Sequence, residues 1–391
     1  MFVQFMLKNV LSFKEETVLD MTAINAYKEH QCNLIDYGTK EKYLRVAAIY
    51  GANASGKSNI YMAMTYFQRI IAESLNNVED GEATAIQTYY QPFSFDSEKE
   101  NSEFQIVQIL GNFEYNSNCI VTEWLYRKNL QTKRSSTVFE RTTEKVEFGS
   151  CVRKECEVYK EQIPVETLVL TFFNKLKLKS NIFKIVYSGV MDTLVVPTDF
   201  CEDTRLLEAL LPRLIDEEKS ALVEFLSAID TGIKDIDYDD SEKEVKFTTY
   251  HKGKDGELHP LDLFFESEGT IKSIMLFIYA RTAILYNKSI FVDELNIKLH
   301  PLLLKFIIDL FYENESQAQL IYTTHDTTLL DKKFFRRDQI WFVQKDEFGY
   351  SELSALSDFK VRSDASFERD YLAGVYGGIP WLKEFSMKEG K

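Results

Sequence analysis

The chain opens with short segments in which apolar and polar residues alternate. At 2–10 and again at 16–21 the period is two, that of a half-buried strand, and the turn between them carries Ser12 and Phe13. Residues 22–42 are polar and without period, and read as irregular. A continuous apolar run, Val46-Ala47-Ala48-Ile49-Tyr50, reads as a buried strand, and a helix-spaced stretch covers 60–74. The acidic, small-residue stretch 76–91 reads as a loop, after which 103–110, 119–126 and 137–146 read as strands separated by polar turns such as Asn116-Ser117-Asn118. From 154 to 228 apolar residues recur three and four apart, most regularly at 183–194 and 206–225, with Pro197 as a break. Strand character returns at 233–238 and 244–250, with 253–256 as a flexible turn. Beyond 263 the pattern alternates: helix at 270–285, strand at 289–292, helix at 302–312, strands at 319–323 and 339–344. Such alternation predicts a parallel sheet with helices on its faces. The expected division is 1–150, a helical insert at 151–230, and 231–391.

Composition narrows the class. The chain has 391 residues, 45% of them hydrophobic, with 29 Phe and 21 Tyr, enough for a sizeable core and too apolar for disorder. A net charge of −15 makes a globally basic nucleic-acid surface unexpected, although Lys128, Lys133 and Arg134 form a small local cluster. That cluster reads either as a nucleic-acid contact or as a solvated hairpin tip. The five cysteines, Cys32, Cys119, Cys151, Cys156 and Cys201, make no C-x-x-C pair and no zinc spacing, and read as free thiols of a reducing compartment. No signal-peptide pattern opens the chain and no apolar stretch approaches the roughly 18 residues of a membrane span. The expected location is cytoplasmic.

Four motifs carry chemistry. The segment 51–58 is G-x-x-x-x-G-K-S between a predicted strand and a predicted helix. Its backbone N–H groups cradle phosphates, and the helix dipole adds positive potential. Gly51, Asn53, Ser55, Gly56, Lys57, Ser58 and Asn59 are the expected nucleotide-binding set, with Lys57 on the β- and γ-phosphates and Ser58 on Mg²⁺. The competing reading, a chance Gly-rich turn, does not explain strand, loop and helix in register. Second, Ser289-Ile290-Phe291-Val292-Asp293-Glu294 is an apolar strand ending in two carboxylates, at the sheet edge where open α/β folds bind ligands. Asp293 is expected in the Mg²⁺ shell and Glu294 as general base or water-orienting group. Third, Gln319 to His325 is a buried strand with a histidine just past its end, able to contact a γ-phosphate; alone it is an ordinary surface His. Fourth, Ser267-Glu268-Gly269 begins a helix and forms an anion site, or merely an N-cap.

Along the chain the order is P-loop, long insert, S-x-G-T helix start, Asp-Glu strand and histidine, and in that order the pieces resemble the heads of ABC-type ATPases, as in SMC, RecF, RecN and OLD-type proteins. The resemblance implies an α/β ABC-ATPase head with an N-terminal antiparallel β region, a parallel P-loop sheet and a helical insert. Residues 1–150 and 231–391 would then be its two lobes. Ser267, Glu268 and Gly269 stand where the family has its signature motif, which acts in trans. Residues 295–301, Leu-Asn-Ile-Lys-Leu-His-Pro, stand where the family has a D-x-x-L-H-P loop, with Asn296 in place of the usual Asp. Gln91 lies near the family's Mg²⁺-contacting Gln, and Phe13 reads as an adenine-stacking aromatic or as core. Lys8-Asn9-Val10-Leu11-Ser12-Phe13 is similar to the family's opening hairpin. Asp338 to Val343 and the tail Tyr371-Leu-Ala-Gly-Val-Tyr-Gly-Gly-Ile-Pro380 are similar to the prokaryotic ATPases of abortive-infection and anti-phage operons, of the AbiL, RloA and PARIS AriA type.

That resemblance implies ATP and Mg²⁺ as cofactors and an ATP-sandwiched homodimer or ring of dimers, with the γ-phosphate supplying the contacts that distinguish docked from undocked states. It implies a separate effector, a TOPRIM-type or other nuclease or a toxin, with DNA or a phage component as trigger and no membrane. Residues 60–260 lack sustained heptads, so a long SMC-type arm is not expected. The short tail after His325 lacks the acidic cluster of a fused TOPRIM nuclease. The alternatives are a RecF-like ATPase that clamps DNA, against which the net charge argues, and a scaffold that binds ATP without cycling.

Overall fold

The apolar run at 46–50 forms the strand Val46–Gly51, buried along its whole length. In the computed structural model, which describes residues 1–76, 82–97, 99–107, 111–128, 134–196, 204–229, 231–241, 244–313, 315–362 and 365–380, it lies inside a six-stranded sheet. The order across that sheet is Thr193–Val196, Ser289–Val292, Gln319–Thr324, Val46–Gly51, Ile340–Lys345 and Ser351–Ala355. The first five are parallel and Ser351–Ala355 is antiparallel to its neighbour. Parallel strands with both faces covered need apolar residues throughout, as here. Ala47 and Ile49 face one core and Val46, Ala48 and Tyr50 the other, because successive side chains leave a strand on opposite faces.

The first core packs the helix Lys57–Glu73 between the central sheet and a seven-stranded antiparallel sheet. Phe67 of that helix meets Phe5, Phe104 and Phe113 of the antiparallel sheet at ring distances of 5.5–5.7 Å. The second core holds the helices Thr204–Ala228, Glu268–Tyr286 and Pro301–Tyr312 on the other face. A three-stranded sheet, Ile233–Asp239, Lys246–Lys252 and Leu258–Asp262, leads into Glu268–Tyr286. The expected mixed α/β architecture is present, with an antiparallel β region, a largely parallel P-loop sheet and helices on its faces.

The sequence pattern missed several elements. Residues 22–42, read as irregular, contain the turn Gln31–Asn33 and the strand Leu34–Asp36, which pairs with Lys42–Leu44. Inside the expected loop 76–91 lies the helix Ala85–Tyr89, fixed by a capping box in which Thr84 and Gln87 each satisfy the other's backbone N–H. Gly111–Tyr115, Leu258–Asp262 and Ser351–Ala355 went unread as strands, and 137–146 is two strands, Ser135–Thr142 and Val146–Phe148. The helical reading of 183–194 holds only to Met191, since Ile182–Met191 is followed by the strand Thr193–Val196. Four apolar residues in a row fit either period. That strand, within the expected insert 151–230, enters the central sheet beside Ser289–Val292. Pro197, Cys201 and Lys133 lie outside the described residues. Among the described residues, no helix is long and apolar enough to cross a membrane.

One buried pair ties the segment 164–174 to the antiparallel sheet. Glu123 accepts the N–H groups of Val169 and Leu170 at 2.7 and 3.1 Å, and the Arg141 guanidinium lies 4.0 Å away while donating to the carbonyls of Pro164, Val165 and Thr167. Burial pushes the Glu123 carboxyl up to about 7 from an ordinary 4.5, against the opposing pull of Arg141 and the two N–H donors. Because folding disfavours the ionised form, this site's contribution to stability falls as pH rises from 4.5 to about 7. Glu123→Gln removes that slope in unfolding titrations. Glu123→Ala, which leaves Arg141 buried and uncompensated, costs about 3 kcal/mol in urea unfolding.

Candidate nucleotide site

All five parallel strands end at one edge, and the P-loop leaves from it. Gly51 closes the strand against Val343, and an added Cβ would lie 2.6 Å from both the Val343 carbonyl oxygen and Ser55 Oγ. Gly56 sits at φ +112°, a left-handed conformation that glycine adopts without strain, and its Cβ would lie 2.3 Å from Ser351 Oγ. Both glycines are therefore required by close approach. Ser351 Oγ donates to the Ser55 carbonyl at 2.7 Å and lies 2.7 Å from Ser12 Oγ, and Asn59 Nδ2 donates to Ser12 at 2.6 Å. The loop is thus clamped between the turn of the opening hairpin and the antiparallel edge strand.

Lys57 is 4% exposed, and its ammonium donates to the Gly51 and Ala52 carbonyls at 2.8 and 2.9 Å. Burial pushes it below its ordinary range, and the Glu294 and Asp293 carboxylates pull the other way. The lysine and the two carboxylates follow strands that end at the same edge of the sheet. Ser58 is exposed on the first turn of the helix, as is Asn53 in the loop, while Ser55 Oγ is buried without a hydrogen-bond partner among the described residues.

The strand Gln319–Thr324 lies between the P-loop strand and Ser289–Val292, and its end arranges the acidic pair. Thr323 Oγ1 donates to Asp293 Oδ1 at 2.6 Å and accepts the Glu294 N–H at 2.8 Å. Glu294 takes φ +47°, which turns the chain sharply after Asp293 and leaves Glu294 half-buried. The buried Lys272 of the helix Glu268–Tyr286 donates to the Ile297 carbonyl at 2.8 Å and holds the far side of that turn. Asn296 accepts from Thr324 Oγ1 at 2.8 Å and reaches the exposed His325 through Nδ2 at 3.4 Å. His300 caps the helix Pro301–Tyr312 by accepting the Leu302 N–H, which gives the Leu299-His300-Pro301 string a local structural role.

Ser267 is the N-cap of Glu268–Tyr286 and accepts the Thr270 N–H at 3.1 Å. Ser267 and Glu268 are exposed, beside Phe264 and Phe265 at 46% and 79% exposure, and Glu268 pairs with Lys298 at 3.0 Å. Gln91 is exposed; its backbone carbonyl accepts the Leu11 N–H, while its side chain turns to the Thr88 carbonyl. Phe13 is fully buried in the first core, which removes it as an adenine-stacking group.

The donor set fits Mg²⁺ and a polyphosphate. Asp293 and Ser58 offer hard oxygens, which suit a small divalent cation that keeps waters and phosphate oxygens in its shell. The Ser55 hydroxyl, without a partner among the described residues, and the buried Lys57 suit an anion. Sequence reasoning missed Ser351 and Thr323. Neither sits in a motif string, and only the pairing of strands distant in sequence brings them to the site.

A glycine-rich loop on a buried strand, an Asp-Glu pair two strands away and a histidine just past the end of the strand between them form the arrangement of a P-loop nucleotide site. More particularly, residues 176–331 match the model of a family described as AAA domain, putative AbiEii toxin, Type IV TA system. The matched stretch contains Ser267, Asp293, Glu294 and His325 and stops short of the P-loop. Among solved structures, an SMC head bound to the C-terminal winged-helix domain of ScpA is 13% identical with a TM-score of 0.43, covering 95% of this chain and 100% of that one. The SMC head domain from Thermotoga maritima is 11% identical with a TM-score of 0.41, covering 92% and 100%. No curated protein matches the chain.

Two substitutions test the clamp. Gly56→Ala adds a left-handed strain and a clash, costing about 2 kcal/mol in denaturant unfolding and more than about tenfold in ATP affinity by calorimetry. Ser351→Ala removes the tie to the Ser55 carbonyl and costs about 1 kcal/mol of stability, with affinity lowered by less than Gly56→Ala lowers it.

Proposed function

We propose that the chain binds and hydrolyses ATP at a site shared between two copies, and that the docked state controls a separate effector in bacterial anti-phage defence. Gly51, Asn53, Ser55, Gly56, Lys57, Ser58 and Asn59 cradle the phosphates. Asn59 acts by bracing the loop through Ser12. Asp293 and Ser58 would hold Mg²⁺, with Gln91 a weaker member of that shell, and the ion would supply charge screening for the phosphates. Glu294 takes the proton of the attacking water. Its half-burial, with the backbone N–H held by Thr323, supports that role. His325 contacts the γ-phosphate from the neighbouring strand.

The observation that carries the shared site is the exposure of the helix start at Ser267 and Glu268, with Gly269 half-buried behind them. A helix N-terminus favours an anion. Here it stands in solvent with Phe264 and Phe265 exposed beside it, so that a second copy can bring its own phosphates there. The γ-phosphate then links the P-loop of one copy to the signature helix of the other, and hydrolysis removes the link. The match to a family described as a putative AbiEii toxin of a Type IV TA system supports a place in a defence or toxin–antitoxin setting; a separate nuclease or toxin as partner and a cytoplasmic location are part of the same proposal.

Solution mass and ATP turnover, measured together for the wild type and Glu294→Gln, test this reading. The wild type is expected to turn ATP over, while the variant binds ATP, hydrolyses it at least about a hundredfold more slowly and accumulates as a dimer or larger ring. Monomers in both cases, with turnover indifferent to Ser267 and Glu294, would overturn the shared site. Turnover stimulated by DNA would move the chain to the DNA-clamping ATPases.

A further inference from the structure

Asn296 occupies the position where related heads carry Asp, and its contacts give the replacement a chemical meaning. The residue is 9% exposed, in the turn after Glu294. Its two ends are distinguishable. Thr324, 1% exposed, accepts the Asp326 N–H on Oγ1 at 3.0 Å, so its own hydroxyl proton needs an acceptor, and Asn296 Oδ1 lies 2.8 Å away. The oxygen end of the amide is thereby fixed on Thr324. The nitrogen end, which can only donate, faces His325 Nε2 at 3.4 Å. A donor at that point requires a lone pair on Nε2, which puts the ring proton on Nδ1.

We propose that Asn296 is a positioning residue that holds His325 as the neutral tautomer protonated on Nδ1, so that the ring's only donor toward a phosphate oxygen is Nδ1–H. An aspartate of the same shape would act oppositely, since a carboxylate only accepts and would draw a proton onto Nε2. The identity of residue 296 thus selects which ring nitrogen can meet the γ-phosphate. The role of that phosphate rests on the nucleotide reading above; the Asn296–His325 pairing does not.

The test reads the ring directly. In ¹⁵N-histidine-labelled protein without nucleotide, with the five His resonances sorted by a His325→Gln variant, long-range ¹H–¹⁵N correlations are expected to show Nδ1 of His325 protonated and Nε2 bare. Asn296→Asp, nearly isosteric, is expected to move a proton onto Nε2. Thr324→Val, which removes the hydroxyl that orients the amide, is expected to give a mixture of tautomers. A protonated Nε2 in the wild type, or a ring state unchanged by Asn296→Asp, overturns the proposal. With ATP present, Asn296→Asp is expected to lower kcat by about tenfold or more while leaving KM nearly unchanged, since affinity resides in the P-loop. A tautomer shift of the expected kind in a chain that never binds ATP would uphold the pairing and refute the nucleotide reading.

Discussion

The close approach of Gly56 to the Ser351 and Ser12 hydroxyls governs the geometry of the whole site. With a Cβ excluded at Gly56, the loop can drop into contact with the edge strand and the opening turn. Its carbonyls then fold over Lys57, and the helix Lys57–Glu73 starts where its first N–H groups face the loop. The strand beneath is held on both sides by parallel neighbours, so the loop's position is inherited from a fully buried sheet. The seven-stranded sheet holds the other face of the P-loop helix through its phenylalanines, and so fixes the helix axis as well as its start.

A second constraint acts on the acidic pair. Glu294 would not adopt its left-handed backbone in a free peptide. It does so here because Thr323 satisfies its N–H from one side and Lys272 holds the following carbonyls from the other. Lys272 belongs to the helix that begins at Ser267, so the exposed helix start and the acidic turn are tied together through that one helix.

Much of this was legible in the residues. The spacing from Gly51 to Ser58 and the apolar run into Asp293-Glu294 are local patterns, and the structure places both at strand ends on one edge. The edge strand Ser351–Ala355 was not legible, because five mixed residues after a hydrophobic strand carry no period of their own. Thr193–Val196 was absorbed into a helical pattern, since a four-residue strand takes its identity from the neighbour it pairs with. Phe13 shows the limit for single residues: an aromatic in a turn is compatible with a ligand or with a core, and only the packing of the turn against the sheet decides. Thr323 and Ser351 became visible only once strands distant in sequence were placed side by side.

The clamp on the P-loop also has a consequence for how the molecule is made. Ser12 and Ser351, whose hydroxyls meet over Gly56, are 339 residues apart in the chain. A protein emerging from the ribosome displays its glycine-rich loop long before the edge strand that shapes it exists, and contacts of such long range form late. Through most of synthesis, therefore, the chain carries the motif without the pocket. The clamp on the glycine-rich loop therefore closes only when the edge strand joins the sheet, nearly the last step of assembling it.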